Sequence, residues 1–314
     1  MQPNTVDAPA RAPRIAVLPQ HSPDWVTDAV TTGGGQIVGF DEAEAVVFGM
    51  MPDLADVRRV TEQGDRIRWV QFPAAGIDRY VPLIDDDRVW TSARGVYADS
   101  VAEMALTLAL AGMRSVVTYA RATSWRSHGT GVNLLGANVT IFGGGGIGEA
   151  LVGMLQPFGC RITVVRKRVQ DMAGVDEVLA ADRFRDALPG AHLVVLALAL
   201  TPETDGIIGR AELEMMGSHA WLVNVGRGRH VVTDDLVAAL RAGSIGGAAL
   251  DVTDPEPLPD GHPLWSLPNC IITPHTANPM AMAEPRLSAR IAANVRRFAA
   301  DQELIGSIDR DLGY

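Results

Sequence analysis

The chain has 314 residues, of which 47% are hydrophobic and 20% are charged, and its formal net charge is −10. This length and composition indicate a globular protein with two domains, each large enough for a hydrophobic core. An acidic surface repels nucleic acids and anionic membranes, so we expect neither as a partner.

The N-terminus, the apolar runs and the cysteines favour a cytoplasmic location. The first segment, MQPNTVDAPARAP, lacks the apolar core of a secretion signal and is predicted to form a mobile tail. The longest apolar run, Leu193–Leu200, is predicted to be a buried strand, because a membrane span needs about 20 residues. Cys160 and Cys270 lack the spacing of metal ligands, so we interpret them as reduced core residues.

Short apolar runs alternate with helical patterns along most of the chain, which predicts an α/β protein with parallel sheets. One helix is predicted over Pro52–Gln63. A longer one, from Ser100 to about Arg121, contains AEMALTLALAGM, is apolar nearly all round and should be buried at a domain or subunit boundary. The polar segment ATSWRSHGTGVN after it is predicted to be an extended arm. The strands predicted in this first region are Arg14–Leu18, Ala45–Gly49, Ile67–Phe72 and Val89–Thr91.

A second α/β region begins at Asn138. Its first helix is predicted to start near Gly146 and to end at Phe158–Gly159, and a final amphipathic helix runs from about Ala281 to Ala300. We expect this final helix to pack on the first region. The result is a discontinuous domain, residues 1–98 and 280–314, and a second domain, residues 99–279. The strands predicted in the second region are Val139–Phe142, Arg161–Val165, His192–Ala197, Ala220–Asn224, Ala248–Asp251 and Cys270–Thr273.

The segment IFGGGGIGEAL has the Gly-x-Gly-x-x-Gly spacing of a dinucleotide-binding turn and lies between a predicted strand and a predicted helix. Gly143 permits the tight turn, Gly145 lets a pyrophosphate approach the backbone, and Gly148 lets helix and strand pack closely. The free N–H groups and positive dipole end of the helix would face the phosphates. The motif alone is weak, since a glycine-rich turn in an unrelated α/β protein has the same pattern. The cofactor contacts predicted here are Gly143, Gly145, Gly146, Ile147 and Gly148.

The next predicted strand ends in a basic triplet, Arg166, Lys167 and Arg168. Arg166 lies 23 residues after Gly143, close to where an acidic residue would bind the ribose 2′-hydroxyl of NAD. A carboxylate there repels a 2′-phosphate, whereas arginine and lysine attract it, and arginine can do so with two N–H donors. The triplet therefore favours NADP(H); the alternative is a solvated basic turn at the end of a strand.

Three further segments place reactive side chains after predicted strands, where ligands bind in doubly wound sheets. In WLVNVGRGRHV, Arg227 stands between two glycines that limit steric interference, and its planar fork matches a carboxylate. In AALDVTDPEPL, a strand ends at Asp251, and Glu256 lies between two prolines that restrict its backbone. In NCIITPHTAN, His275 can donate or accept a proton near neutral pH. Each has an ordinary alternative, namely a surface arginine, a solvated acidic loop and a structural histidine, but together they favour an active site.

Over nearly its whole length, the chain resembles the D-isomer-specific 2-hydroxyacid dehydrogenase family. The segments that carry the resemblance are WVQFPAAGID, RGVYADSVAEMALTL, FGGGGIGEAL, ALTPETDGIIG, NVGRGRHV, ALDVTDPEPL and ITPHTAN. The resemblance implies a Rossmann-type dinucleotide-binding domain and a flavodoxin-like substrate domain, with the active site in the cleft. It also implies a homodimer, with the long helix and the arm at its interface.

The resemblance also implies roles for individual residues. Arg227 would bind the substrate carboxylate and polarise the keto oxygen, and His275 would donate the proton in keto-acid reduction. Glu256 would pair with His275 and favour its protonated form. The expected substrate-binding residues are Ala74, Ala75, Gly76, Arg227 and His275, and the remaining expected cofactor contacts are Val225, Gly226 and Asp251, the last near the nicotinamide carboxamide.

The function predicted on these grounds is an oxidoreductase acting on a CH–OH group with NAD or NADP. NADPH-dependent reduction of a small 2-keto acid, such as glyoxylate or hydroxypyruvate, is the first hypothesis. NAD-dependent oxidation of a larger or phosphorylated hydroxy acid and a nucleotide-sensing binding protein are the alternatives. The absence of a regulatory domain after the last helix argues against a regulated phosphoglycerate dehydrogenase, and Glu256 argues against formate dehydrogenases, which have Gln there. Phe72 and Pro73 differ from many relatives, so substrate identity stays open.

Overall fold

The computed structural model describes residues 12–125 and 131–309. Most of the predicted tail and the middle of the predicted arm therefore lie outside the described residues. The chain divides into two compact units, one formed by Met1–Tyr97 with Met280–Tyr314 and the other by Ala98–Pro279. The boundaries expected from the sequence differ by one residue at the first junction, and the roles expected for the two parts stay predictions.

The first unit is built on a five-stranded sheet in the order β2-β1-β3-β4-β5. All of its strand pairs are parallel, so a connection has to cross between each strand and the next. Its strands are β1 (Arg14–Leu18), β2 (Gln36–Ile37), β3 (Ala45–Phe48), β4 (Trp69–Gln71) and β5 (Val89–Thr91). Its helices are α1 (Asp24–Thr32), α2 (Leu54–Gln63) and α8 (Met280–Ala299).

Helix α8 packs on the N-terminal sheet, although it lies nearly 200 residues further along the chain than β5. Its apolar residues Leu287, Ile291 and Val295 recur every four positions, which places them on one helical face. They share a buried core with Ile15 of β1 and Val26 of α1. The final helix therefore belongs to the first unit, and the C-terminal α/β region interrupts that unit.

The second unit is built on a seven-stranded parallel sheet in the order β12-β11-β10-β9-β6-β7-β8. Its central strands β9, β10 and β11 are buried at every position, which is expected when helices cover both faces of a parallel sheet. The strands are β6 (Asn138–Phe142), β7 (Arg161–Arg166), β8 (Glu177–Ala180), β9 (Leu193–Leu196), β10 (Trp221–Asn224), β11 (Gly247–Leu250) and β12 (Cys270–Ile272). The helices are α3 (Ala98–Met113), α4 (Val116–Ala120), α5 (Gly146–Leu155), α6 (Arg210–Met216) and α7 (Thr233–Ala242).

The long helix expected from Ser100 to Arg121 is wrong as a single element. Helix α3 ends at Met113, and Ser115 adopts the left-handed region at φ 53° before the short helix α4 begins. The carbonyl of Met113 accepts a hydrogen bond from Val132 N–H (2.7 Å), a residue 19 positions further on. The buried apolar pattern therefore predicts α3. It does not predict the break after Met113, which depends on a contact with a later segment of the chain.

Both cysteines are free, and they differ in burial. Cys270 is buried, and the burial raises the pKa of its thiol to about 12. Cys160 is partly buried and packs against the core of the second unit, so the prediction that it is a core residue holds only in part. No described helix has the length and apolarity to cross a membrane. Within residues 12–125 and 131–309, no group of three or more acidic, histidine or cysteine side chains could hold a metal ion.

Candidate active site

The turn between β6 and α5 requires glycine at two positions of the motif. Gly143 has φ 109°, and a Cβ there would lie 2.3 Å from the carbonyl oxygen of Ala197 in the neighbouring strand exit. A Cβ on Gly148 would lie 2.1 Å from the carbonyl oxygen of Gly143. Both distances are impossible contacts for real side chains. These two glycines therefore let the helix start directly against the sheet.

Gly145 is different, because a Cβ added there would meet nothing within 4 Å. It precedes α5, which begins at Gly146, and both glycines are exposed. The backbone N–H groups of the first helical turn need acceptors from outside the helix. The open space at the N-terminus of this ten-residue helix fits the pyrophosphate of a dinucleotide. Ile147 in the same turn packs partly into the hydrophobic core, so only its backbone is free to contact a phosphate.

The three residues of the basic triplet at the end of β7 differ in burial. Arg166 is half-buried and is the last residue of the strand, whereas Lys167 and Arg168 are exposed in the following turn. The Arg166 side chain lies over Gly144, where a Cβ would come within 3.0 Å of its Cδ and Nε atoms. Its Nη1 atom is buried and has no hydrogen-bond partner within the described part of the chain. A buried guanidinium nitrogen without an acceptor is costly, and a phosphate oxygen would satisfy it.

Arg227 follows β10, and its backbone is held tightly on both sides. Asn224 Nδ2 donates to the Arg227 carbonyl (2.8 Å), and Arg227 N–H donates to His230 Nδ1 (3.1 Å). A Cβ on Gly226 would lie 3.0 Å from the His230 ring, and one on Gly228 would lie 1.9 Å from the carbonyl oxygen of Thr253. Glycine is therefore required at position 228, where the Thr253 backbone fills the space, and a side chain at position 226 would be crowded by the His230 ring. The expectation that these glycines give the Arg227 side chain room to reach a ligand stays a prediction.

Two other predicted cofactor contacts lie in the same segment. Val225 is buried, and its side chain belongs to the hydrophobic core beneath the sheet. Its N–H donates to the Leu196 carbonyl of β9 (3.1 Å). Gly226 is also buried. Only the backbone of these residues is available to a ligand, and their role in cofactor binding stays a prediction.

Asp251 organises the segment that carries His275. The residue is 2% exposed, and its carboxylate accepts three hydrogen bonds, each from a residue close to the histidine in sequence. His275 itself adopts the left-handed region at φ 52°, and its N–H donates to the Asp251 carbonyl (2.8 Å). That conformation is unfavourable for a residue with a side chain, and the hydrogen bonds to Asp251 hold it. The three bonds to the carboxylate come from Thr273 Oγ1 (2.6 Å), Thr276 N–H (3.0 Å) and Ala277 N–H (3.0 Å).

His275 and Glu256 form a close pair. The Nδ1 atom of His275 lies 2.6 Å from Glu256 Oε1. The two side chains are 54% and 42% exposed, so the ring is accessible to a small molecule. With Nδ1 bonded to the carboxylate, the ring's other nitrogen, Nε2, is the one that can exchange a proton with a substrate. An exposed ion pair adds little to stability, so the pairing matters chiefly for the orientation and charge of the ring.

In the first unit, the loop Phe72–Gly76 follows β4 and is fixed through its carbonyl groups. One donor to the loop is the phenol of Tyr97, and burial raises its pKa to about 12 against the opposing effect of Arg290. Gln71 is fully buried in a polar network that includes Asn294 Nδ2, 2.9 Å from its Oε1 atom. The three bonds to the loop are Gln71 Nε2 to the Phe72 carbonyl (2.7 Å), Tyr97 Oη to the Pro73 carbonyl, and Ala93 N–H to the Ala74 carbonyl (2.9 Å).

Within the described part of the chain, the N–H groups of Ala74, Ala75 and Gly76 in this loop have no acceptor. No atom of the described residues accepts a hydrogen bond from the backbone of Ala74, Ala75 or Gly76, and all three residues are half-exposed. Backbone N–H groups that are positioned by their neighbours and left unpaired form a site for an anion. The arrangement fits the predicted contact with a substrate carboxylate.

The fold brings some of the predicted site residues together. Arg227, Asp251 and His275 follow β10, β11 and β12, which are neighbours in one sheet. The carboxyl ends of parallel strands share one edge of the sheet, and Glu256 reaches that edge through its pairing with His275. The loop Ala74–Gly76 belongs to the other unit. The expected cleft involves both units and stays a prediction.

Sequence reasoning missed the residues that hold the predicted ones in position, namely Tyr97, Asn224, His230 and Thr273. A signal existed for two of them. Asn224 and His230 each stand three positions from Arg227 in the segment WLVNVGRGRHV, a spacing at which polar side chains often bond to backbone. No local pattern points from Tyr97 to Pro73, which lies 24 positions earlier.

Comparisons with known proteins agree with this architecture. Residues 104–277 match the family model described as D-isomer specific 2-hydroxyacid dehydrogenase, NAD binding domain. An uncharacterised protein encoded in the proB 3′ region of Corynebacterium melassecola is 38% identical over 92% of this chain and 96% of its own. The human glyoxylate reductase/hydroxypyruvate reductase is 31% identical over 78% of each chain. A D-isomer specific 2-hydroxyacid dehydrogenase from Xanthobacter autotrophicus, crystallised with NADPH and MES, has a TM-score of 0.83 at 25% identity and covers 96% of this chain and 100% of its own.

The chain belongs to the D-isomer specific 2-hydroxyacid dehydrogenase family. It is accordingly an oxidoreductase that acts on the CH–OH group of its donor with NAD or NADP. The predicted fold class is confirmed, since both units are α/β and both sheets are parallel throughout.

Proposed function

We propose that the protein is an NADPH-dependent reductase of small 2-keto acids, with glyoxylate and hydroxypyruvate as the leading substrates. The observation that carries the proposal is the pairing of His275 with Glu256 at 2.6 Å, on the sheet edge that also bears Arg227. A histidine held in this way suits proton transfer, and the arginine suits a carboxylate. The human relative is named for both substrates, which supports the choice of small keto acids.

The second unit fits a dinucleotide. The residues that would hold it are the N-terminal turn of α5, with Gly145 facing open space, and Arg166 with its unpartnered Nη1 atom. A bound reduced nicotinamide would supply a hydride to the carbonyl carbon of the keto acid. The helix N-terminus would neutralise the pyrophosphate charge.

Arg227 and His275 would then act on the keto acid. The guanidinium of Arg227 would bind the carboxylate and lie against the keto oxygen, where it would stabilise the negative charge that develops during reduction. His275 would donate its Nε2 proton to that oxygen, which gives the hydroxyl group of the product. Glu256 would hold the ring through Nδ1 and stabilise the imidazolium before the proton leaves. The N–H groups of Ala75 and Gly76 would contribute to carboxylate binding.

NADPH is the preferred cofactor in this proposal. Arg166 ends β7 at the position expected for the residue beside the adenosine ribose, and it presents a buried N–H group that needs an acceptor. A 2′-phosphate supplies a negatively charged acceptor for that N–H group. A 2′-hydroxyl is uncharged and extends less far from the ribose. The Xanthobacter relative was crystallised with NADPH, which supports the same choice.

We also propose a cytoplasmic homodimer. Apolar side chains are exposed on α4 and around the segment that follows it, notably Val116, Tyr119, Trp125 and Leu135. Exposed apolar side chains that lie close along the chain often mark a contact between subunits. The two free cysteines suit a reducing compartment. Light scattering after gel filtration would give a mass near twice 33.4 kDa if the proposal holds and a monomer mass if it does not.

The test of the function is an absorbance assay of NADPH and, separately, NADH with purified protein. The keto acids would be glyoxylate, hydroxypyruvate, pyruvate and branched or aromatic 2-keto acids. Rapid loss of NADPH with one of the small acids supports the proposal. Turnover confined to the oxidation of a larger or phosphorylated hydroxy acid with NAD would support the alternative enzyme, and binding of NADPH without turnover of any substrate would support a nucleotide-sensing protein.

A further inference from the structure

His230 is a fully buried histidine that follows the candidate carboxylate-binding arginine by three positions. Its ring has a polar contact at each nitrogen. Arg227 N–H donates to Nδ1 (3.1 Å), and Nε2 lies 3.3 Å from the carbonyl oxygen of Ala199. A nitrogen that accepts an N–H carries no proton, and a nitrogen beside a carbonyl must carry one. The contacts therefore select the neutral ring with its proton on Nε2.

The same ring fixes the backbone of Arg227 from one side, and Asn224 fixes it from the other. Asn224 Nδ2 donates to the Arg227 carbonyl (2.8 Å), and Gly226 N–H donates to Asn224 Oδ1 (3.1 Å). The His230 N–H also donates to the Arg227 carbonyl (3.2 Å). Both peptide groups of Arg227 are thus bonded, so the direction in which its side chain leaves the backbone is determined.

The His230 ring also packs against neighbouring backbone. The ring lies against Gly226, where an added Cβ would come within 3.0 Å of its Cε1 and Nδ1 atoms. The same Cβ would lie 3.2 Å from the Leu198 carbonyl oxygen. Leu198 and Ala199 belong to the segment that leaves β9, and Gly226 and Arg227 belong to the segment that leaves β10. His230 therefore joins two neighbouring strand exits through one side chain.

We propose that His230 is a positioning residue for Arg227. Its neutral ring fixes the backbone of the arginine against the β9 exit, so that the guanidinium meets the substrate carboxylate in one orientation. This inference rests on the proposed function, because it needs Arg227 to bind the keto acid. It predicts that loss of the Nδ1 acceptor impairs use of the keto acid and leaves binding of the dinucleotide at the α5 N-terminus nearly unchanged.

The sharpest test compares two variants of nearly equal shape, His230→Asn and His230→Leu. Asparagine keeps an acceptor close to the position of Nδ1, whereas leucine keeps none, and both lose the donor that faces Ala199. We expect His230→Leu to raise the KM for the keto acid and to lower kcat/KM by roughly 10- to 100-fold, which is the usual cost of a misplaced binding group. His230→Asn should keep a kcat/KM at least about fivefold higher than that of His230→Leu. The Kd for NADPH, measured by fluorescence, should change by less than about threefold in both.

Equal losses in the two variants would overturn the inference, because the ring would then matter only through packing. Unchanged kinetics in His230→Leu would overturn it as well. A second measurement uses the wild-type protein without substrate and does not depend on whether the variants fold. Long-range proton–nitrogen NMR of the histidine rings, assigned by correlating each ring with its own backbone signals, should show His230 with its proton on Nε2.

A ring protonated on Nδ1, or on both nitrogens, would contradict the inference. The outcomes also separate it from the proposed function. If the wild-type protein reduces no keto acid, the function fails, and the inference about Arg227 fails with it even where the NMR result stands. If the wild-type protein reduces keto acids and His230→Leu does so equally well, the function survives and the positioning role alone is lost.

Discussion

The Nδ1 atom of His275 lies 2.6 Å from Oε1 of Glu256, and the histidine is held in a left-handed backbone conformation by hydrogen bonds to Asp251. Backbone geometry of this kind is unfavourable and is found where the surrounding structure fixes a residue for function. The ring is accessible, its Nδ1 atom is committed to a carboxylate, and its Nε2 atom is left for proton exchange. This pairing is the centre of the proposed mechanism, and the predictions below follow from it and from the groups around it.

Replacement of His275 by Gln should nearly abolish turnover, because glutamine cannot donate a proton as an acid. General acid catalysis contributes roughly 100- to 10,000-fold, so a loss of that order in kcat is expected. Binding of NADPH should change little, since the side chain lies away from the glycine turn of β6 and α5. Steady-state kinetics and a fluorescence titration of NADPH would measure both. Near-normal turnover would contradict the role assigned to His275.

Replacement of Glu256 by Gln should keep the shape of the pair and remove its charge. We expect kcat to fall by about 10- to 100-fold, because the imidazolium loses its stabilising carboxylate. The matched control is Asp260→Asn, which removes an exposed carboxylate from the same loop region and should leave kcat unchanged. Equal effects of the two variants would mean that only the overall charge of the loop matters.

Glycine 145 offers a test of cofactor binding that does not disturb the fold. A Cβ at Gly145 meets nothing within 4 Å, and its backbone is extended, so Gly145→Ala should leave the unfolding midpoint unchanged. The added methyl group would point into the space proposed for the pyrophosphate, and the Kd for NADPH should rise by roughly tenfold or more.

The control for that experiment is Gly153→Ala on the same helix. A Cβ there also meets nothing within 4 Å. This variant should bind NADPH normally and should stabilise the protein by a few tenths of a kcal/mol up to about 1 kcal/mol, since alanine favours the helix interior. Normal NADPH binding by Gly145→Ala would contradict the placement of the pyrophosphate.

Tyr97, which donates a hydrogen bond to the loop Phe72–Gly76, should also affect the stability of the protein at alkaline pH. Burial raises its pKa to about 12 from 10.0 in the unfolded chain, so the folded state retains the proton over a range where the unfolded state loses it. Its contribution to stability is therefore complete below pH 10 and falls as the pH rises towards 12, with a loss of about 1 kcal/mol by pH 11. Tyr97→Phe should lack this part of the alkaline destabilisation.

The measurement is urea unfolding of the wild-type protein and Tyr97→Phe at pH 8 and pH 11. The difference between the two proteins should shrink at the higher pH. At pH 8 the variant should also show a KM for the keto acid that is raised several-fold, because the Pro73 carbonyl loses its donor. A pH-independent difference in stability would contradict the buried phenol, and an unchanged KM would contradict its effect on the loop.

Much of the fold could be predicted from the sequence, because parallel strands buried on both faces give continuous apolar runs. Strands β1 and β5 match their predicted bounds, and the others that were predicted differ by one or two residues at their ends. Strand β2 was missed because it consists of two exposed residues whose pairing with β1 depends on tertiary structure. Strand β8 and helices α1, α6 and α7 were also not assigned from the sequence.

The candidate site, like the fold, could be predicted from the sequence only in part. Residues that carry chemistry could be found, because Arg227, Glu256 and His275 stand after apolar runs in recognisable segments. Their surroundings could not be found, because these depend on contacts across the sheet. The sequence suggested that the glycines beside Arg227 give its side chain room, and it did not indicate that a side chain at Gly228 would meet the Thr253 backbone or that one at Gly226 would crowd the His230 ring. The sequence also did not indicate that the Asp251 carboxylate holds the His275 segment, and its expected place near the cofactor stays a prediction.

The most direct test of the central claim is the ratio of kcat/KM with NADPH to that with NADH, measured with glyoxylate or hydroxypyruvate. The wild-type protein and Arg166→Asp would be compared, with Arg161→Ala at the exposed start of the same strand as the control. The account predicts a wild-type preference for NADPH of roughly 10-fold or more, a fall of at least about tenfold in that ratio for Arg166→Asp, and no change for the control. Faster turnover with NADH in the wild-type protein, or a ratio that Arg166→Asp leaves unchanged, would contradict it.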